Sequence, residues 1–164
     1  MKSTIAILVE NHPGVLSRIS GLFARRSFNI DSLAVGVTED PTVSRITIVV
    51  DGNDYTLQQV EKQLNKLVDV IKLKTLSSDQ IISRELMLVK IAASASDRGE
   101  IINLAKVTGA KICNTTKTTM MLEVSATSEE LYDLLEILKP YGLQEVIRTG
   151  TIASQKGTEA ISLK

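Results

Sequence analysis

Tryptophan is absent, all aromatics together make up 3% of the chain, and there is one cysteine and one histidine. So few rings offer little platform for stacking nucleic-acid bases. Cys113 alone makes no internal disulfide, and no second Cys or His stands near His12 to complete a metal site. Excess charge is missing too. Nineteen basic residues meet nineteen acidic ones, so no global field gathers DNA, RNA or an anionic membrane. The longest apolar run, Ile5 to Val9, is too short for a membrane span or a signal-peptide core. Met1-Lys2-Ser3 leads directly into it, so the expected compartment is the cytosol. Dinucleotide loops, phosphate loops and the Gly-x-Ser-x-Gly elbow are not found. Glu61, Glu129 and Glu130 fall on polar helix faces, and His12, just before Pro13, reads as an exposed turn residue. Cys113, between Ile112 and Asn114, reads as a small buried hydrophobe in a strand. The chain is expected to have no catalytic residue, metal or cofactor of its own.

What is there is aliphatic and periodic. Hydrophobic residues, mostly Ile, Val and Leu, make up 43% of the chain of 164 residues, which suits sheets packed under helices. Thr4 to Val9 is apolar on both alternating faces, so the strand is covered on two sides. Asn11-His12-Pro13-Gly14 breaks it and starts a helix with Pro13 near its first position. Leu16, Ile19 and Phe23 form that helix's stripe, with Val15 and Leu22 beside them and Arg18 and Arg25 on the opposite side. Strands over 28–38 and 43–50 flank a turn at Glu39-Asp40-Pro41-Thr42, and Ile46, Ile48 and Val50 share a face. A second helix carries Leu57, Val60, Leu64 and Leu67. A fourth strand over 70–76 sets Ile71 and Leu73 against Lys72 and Lys74.

This β-α-β-β-α-β order is the ferredoxin-like arrangement, and it recurs after Leu76-Ser77-Ser78-Asp79. Leu86 to Ala92 is a strand, Asp97 with Glu100 resembles a capping box, and a helix with Ile101, Leu104 and Ala105 ends at Gly109. Strands over 110–116 and 119–126 precede a second capping signal, Thr127 with Glu130, and a helix with Leu131, Leu134, Leu135 and Leu138. Pro140-Tyr141-Gly142 stops it before a last strand over 143–149. The fold class is therefore α+β, two ferredoxin-like βαββαβ domains in tandem. The expected boundaries are 1–76 for the first domain, 77–82 for a linker and 83–164 for the second, with a polar tail frayed from about Thr151. Halves of roughly 75 to 80 residues are modestly stable alone. Strands apolar on both faces then imply a homodimer, through an extended sheet, or packing of the two halves on each other.

Asn11 to Leu16 is the one stretch that points to a ligand. The first amides of a helix lack internal partners and favour a carboxylate. Gly14 permits close approach to the backbone, and Asn11 offers a donor and an acceptor. The plain alternative is ordinary strand-to-helix punctuation, with Asn as cap and Pro at the start.

The run Leu8-Val9-Glu10-Asn11-His12-Pro13-Gly14-Val15-Leu16-Ser17-Arg18-Ile19 resembles the opening of the ACT domain, an amino-acid-binding regulatory module. Residues 21–33, 40–45, 58–70 and 84–90 are more specific and resemble the acetohydroxyacid synthase (acetolactate synthase) small regulatory subunit. That resemblance implies a non-catalytic subunit of branched-chain amino-acid biosynthesis. Its partner would be a large catalytic subunit carrying thiamine diphosphate, FAD and Mg²⁺. It further implies activation of that subunit, feedback inhibition by valine or a related amino acid, and a homodimer through the ACT domains. Carried over residue by residue, the effector would meet Asn11, Gly14, Val15 and Leu16 of one chain and Asn29 and Ile30 of its partner. Many members carry Gly where this chain has Ser27, so the helix end before Asn29 is expected to differ locally. The rival readings are a free-standing ACT-type sensor of another enzyme or of transcription, and a small enzyme on the same fold.

Overall fold

A computed structural model describes residues 1–163. The chain divides into two compact units, residues 1–82 with 151–164 and residues 83–150.

In the first unit the order is β1 (Lys2–Glu10), α1 (Val15–Arg25), β2 (Ile30–Val37), β3 (Val43–Asp51), α2 (Asp54–Leu64) and β4 (Val70–Leu76). The sheet runs β2-β3-β1-β4, every neighbouring pair antiparallel, with β2 and β4 as its edges. Ile5, Ile7 and Val9 of β1 and Ile46, Ile48 and Val50 of β3 point to one face. There they join Val15, Ile19, Leu22 and Phe23 of α1 and Val60 and Leu64 of α2 in a single core. The helix stripe is thus Val15-Ile19-Leu22-Phe23. Leu16, expected within it, is 44% exposed, because the turn places Val15 rather than Leu16 toward the sheet. Pro13 also lies outside the helix: Gly14 takes the N-cap position with φ 90°. In β4, Ile71 is the extra residue of a bulge between Val70 and Lys72, which turns it outward and leaves Leu73 to pack on the core.

The end of α1 is a Schellman closure. Phe28 N–H donates to the Phe23 carbonyl, Ser27 N–H donates to that of Ala24, and the Phe23 and Phe28 rings meet edge-on at 6.2 Å. Ser27 therefore adopts the left-handed conformation, φ 55°, that glycine takes at least cost. The helix ends as it would with glycine, and the substitution costs energy rather than geometry. Ser27→Gly is expected to raise stability by about 0.5–1 kcal/mol, read as a shift of the urea midpoint at unchanged slope.

In the second unit β5 (Ile81–Ala92), α3 (Arg98–Thr108), β6 (Lys111–Thr115), β7 (Thr119–Ala126), α4 (Ser128–Leu138) and β8 (Leu143–Arg148) form an antiparallel sheet in the order β6-β7-β5-β8. Met87, Val89 and Ile91 of β5 pack with Ile101, Ala105, Leu131, Leu134 and Leu138 of the helices. The Thr127–Glu130 capping box forms in both directions. The Asp97–Glu100 pair does not: the Asp97 carboxylate accepts from Ser94 Oγ at 2.7 Å and Glu100 accepts from the Tyr141 hydroxyl at 2.9 Å. Cys113 is exposed rather than buried, because a bulge between Ile112 and Asn114 puts it out of register with β7.

The stretch expected as a linker contains a 3-10 turn, Ser78–Gln80, and the start of β5, and the expected frayed tail is structured. After Gly150 the chain rejoins the first unit through β9 (Ile152–Gln155), and Lys156 N–H donates to the Gln80 carbonyl at 2.8 Å. Ala153 is buried with Ala6 and Leu76, and Ile81 and Ile161 pack beside them. Thr151 N–H donates to Ser32 Oγ at 2.7 Å, Arg45 to the Ala153 carbonyl at 2.6 Å, Lys72 to the Ser162 carbonyl at 3.1 Å, and Lys74 pairs with Glu159 at 2.9 Å. Its apolar residues hold this segment against the sheet face that α1 and α2 leave bare, which polarity alone does not reveal.

Candidate functional site

The turn joining β1 to α1 is fixed by backbone pairing on both sides. Glu10 N–H donates to the Asp69 carbonyl at 2.9 Å and Asn11 N–H to that of Thr42 at 2.8 Å. Asn11 Nδ2 donates to the Pro41 carbonyl at 2.8 Å, so this side chain braces the β2–β3 turn instead of capping the helix. That turn is itself locked. Asp40 accepts from both the Thr42 hydroxyl and its N–H, at 2.7 and 2.9 Å, which holds the Asp40 carboxyl below the usual range. The Asn11 side-chain oxygen is left as an acceptor with no partner among the described residues.

Gly14 is strained for any other residue. Its φ is 90°, and a Cβ there would stand 3.1 Å from Arg18 Nη1. No side chain caps α1 and no acidic residue stands in its first turn, so the partial positive charge of the helix start is uncompensated by this chain. Val15 turns its side chain into the core, 4% exposed, and presents only its backbone here; Leu16 turns outward.

Arg18 was placed by periodicity on the solvent side, and the structure puts it over the turn. Its Nε lies 2.6 Å from Asp69 Oδ2, and His12 Nε2 lies 3.0 Å from Asp69 Oδ1. The Asp69 side chain is 7% exposed. Arg18, by hydrogen bond and charge, holds the Asp69 carboxyl below the ordinary range against the opposing effect of burial; His12 adds to this. Sequence spacing gives no hint of Asp69, which sits 51 positions from Arg18. A carboxylate whose folded pKa is lowered stabilises the fold fully above its unfolded value, near 3.9, and loses that effect as pH falls through the folded value. Asp69→Asn should therefore melt below the parent chain at pH 7, and the gap should close in acid below about pH 4.

Four of the six expected site residues, Asn11, Gly14, Val15 and Leu16, share this turn. Asn29 and Ile30 do not join them within one chain. Ile30 pairs with Val50, and Val50 with Ser3, at the far end of β1 from Asn11. Ser3 and Asn11 stand eight positions apart along the strand, roughly 25 Å. Among the described residues no cluster of three or more His, Cys, Asp or Glu could hold a metal, and no helix is long and apolar enough to cross a membrane.

Comparison with known proteins divides the chain by sequence order, so that the returning strand β9 falls in the second match. Residues 5–72 match the family described as AHAS small subunit-like ACT domain, and residues 84–157 match the family described as small subunit of acetolactate synthase. The acetolactate synthase small subunit of Mycolicibacterium smegmatis is 45% identical over 158 residues, covering 96% of this chain and 93% of that protein. The Bacillus subtilis small subunit is 41% identical, with 97% and 93% covered. The crystal structure of the Thermotoga maritima small subunit superposes with a TM-score of 0.90 at 32% identity, covering 97% of this chain and 99% of that one.

Proposed function

The chain belongs to the family of acetolactate synthase small subunits, with an ACT domain in its N-terminal part, and from that premise we propose that it regulates a separate catalytic large subunit. It raises that subunit's activity and makes it subject to feedback inhibition by a branched-chain amino acid, valine foremost. Thiamine diphosphate, FAD and Mg²⁺ belong to the large subunit, and the holoenzyme works in the cytosol. The observation that carries the reading is the uncapped helix start at Gly14, with Arg18 held over it by Asp69. Together these make a fixed seat of hydrogen-bond donors for a carboxylate, the helix-start amides and the Arg18 Nη groups that Asp69 leaves free. The unpartnered Asn11 oxygen would accept from the effector's ammonium group, and exposed Leu16 would meet its side chain.

The far placement of Ile30 supports a site completed by a second copy. β2 is an edge strand with Val35 and Val37 exposed, an edge suited to pairing with another strand. Two-fold antiparallel pairing of β2 with its copy would bring the start of one β2 beside the end of the other. That end, Val37 opposite Ser44, is the end of the sheet where Asn11 lies. Asn29 and Ile30 of the partner would then approach the Gly14 turn. An apolar seat of this kind separates valine, leucine and isoleucine by only about 1–3 kcal/mol. In the second unit, a groove of about 460 Å³ flanked by exposed Val107 and Ile137 suits contact with the large subunit.

The test is reconstitution. The purified chain should bind valine and should raise the turnover of an added large subunit, with no acetolactate formed by the chain alone. Asn11→Ala should weaken valine binding about tenfold or more. Turnover without a large subunit, or failure to bind any of the three amino acids, would overturn the proposal.

A further inference from the structure

The outer face of the first sheet carries a cation that the regulatory reading does not use. Arg45 stands across from Leu8 in the β1–β3 pairing, on the face opposite α1. Its guanidinium is half-buried, and burial alone pushes its pKa down. The only partner it has among the described residues is the Ala153 carbonyl. A guanidinium has five N–H donors, so those not given to Ala153 face solvent, and among the described residues no carboxylate is paired with it. An acid group entering beside it would exchange that guanidinium's remaining water contacts for charge-assisted hydrogen bonds.

Beside Arg45 is a cavity of about 90 Å³ lined by Leu8, Thr38, Glu39, Val43 and the returning residues Ile161, Ser162 and Leu163. Its floor is apolar, with Leu8 and Val43 each 3% exposed. Such a volume holds several waters or a ligand of a handful of heavy atoms. The surrounding charge is cationic. Lys72 and Lys74 flank Leu8 and Ala6 in the β1–β4 pairing, and Glu159 answers Lys74. Glu39 supplies the one acid of the lining.

We infer that this cavity binds a small aliphatic carboxylate, a 2-amino acid or the corresponding 2-oxo acid. The Arg45 guanidinium holds the acid group, Leu8 and Val43 hold the carbon chain, and residues 161–163 form the outer wall. Glu39 would receive an ammonium group, which only the amino acid carries. The site lies on the sheet face opposite α1, and it shares with the Gly14 seat only the β2–β3 turn that Asn11 braces.

Calorimetric titration of the full chain carrying Gly14→Asp, which fills the other seat and keeps Asn11 on the β2–β3 turn, with 2-aminobutyrate and separately with 2-oxobutyrate, tests the inference apart from the Gly14 seat. These probes share a carbon skeleton. At least one of them should bind with a stoichiometry of one per chain. Arg45→Met should weaken it tenfold or more, while Arg45→Lys retains part of the affinity and still shows a ligand-dependent rise in melting temperature. Glu39→Gln should weaken 2-aminobutyrate and spare 2-oxobutyrate. Absence of saturable binding by either probe, or unchanged binding in Arg45→Met, overturns the inference. So does tighter binding by a chain ending at residue 160, which would mean that the returning segment itself fills the cavity.

Discussion

Gly14→Asp should abolish valine inhibition of the reconstituted holoenzyme while leaving its activation by the small subunit largely intact. The residue at position 14 has φ 90°, and its Cβ would stand 3.1 Å from Arg18 Nη1. Aspartate tolerates this conformation poorly but survivably, at about 1–2 kcal/mol. Its carboxylate would then lie beside Arg18 and the first amides of α1, occupying the seat proposed for the effector's own carboxylate. An effector acts only through its differential affinity for two states, commonly worth about 5- to 150-fold, and this substitution removes it. The check is a valine titration of acetolactate formation at saturating small subunit. A variant that loses activation together with inhibition has failed to fold or assemble, which a melting curve would show.

Phe23→Ala should have the largest effect on stability, a loss of about 3–5 kcal/mol. Phe23 is 1% exposed and is the largest fully buried side chain of the first core. Three elements rely on it. It fills the space between α1 and the sheet, its carbonyl accepts from Phe28 N–H, and its ring meets that of Phe28 across the helix end. The backbone bond survives truncation, but the ring contact and the packing do not. Since Phe28 leads directly to Asn29, loosening this closure should also weaken valine binding more than loss of an equally buried residue on β3. Urea denaturation, followed by titration at a temperature where the variant is folded, separates the two effects.

Local patterns were legible where the partners are local. Thr127 and Glu130 lie three positions apart and cap each other as their spacing implies. Asp97 and Glu100 have the same spacing and do not, because Ser94 captures one carboxylate and Tyr141, from beyond α4, captures the other. Alternation located β4 and β6, yet one bulge in each turned Ile71 and Cys113 away from where a strict period of two would put them. At the candidate site, Asn11 and Gly14 stand out as turn chemistry within one short stretch. Arg18 looked like a solvated helix residue because Asp69, which draws it over the turn, belongs to the loop before β4. The polar segment after Gly150 looked detached, since two of its apolar residues, Ala153 and Ile161, matter only through contact with Ala6, Leu76 and Ile81.

The return of residues 151–163 makes the first unit discontinuous, with Ser83–Gly150 as an insertion between its pieces. On a ribosome adding about 5–20 residues per second, the inserted stretch takes several seconds to emerge. Throughout that interval Ala6 and Leu76 lack the covering that Ala153 later provides. The nascent N-terminal piece can close its helix-side core early, but its second face waits for the returning segment to emerge. Dissection of the gene after codon 82 would make that wait permanent, and a soluble version of the isolated fragment would need residues 151–163 supplied again, by fusion or as a peptide.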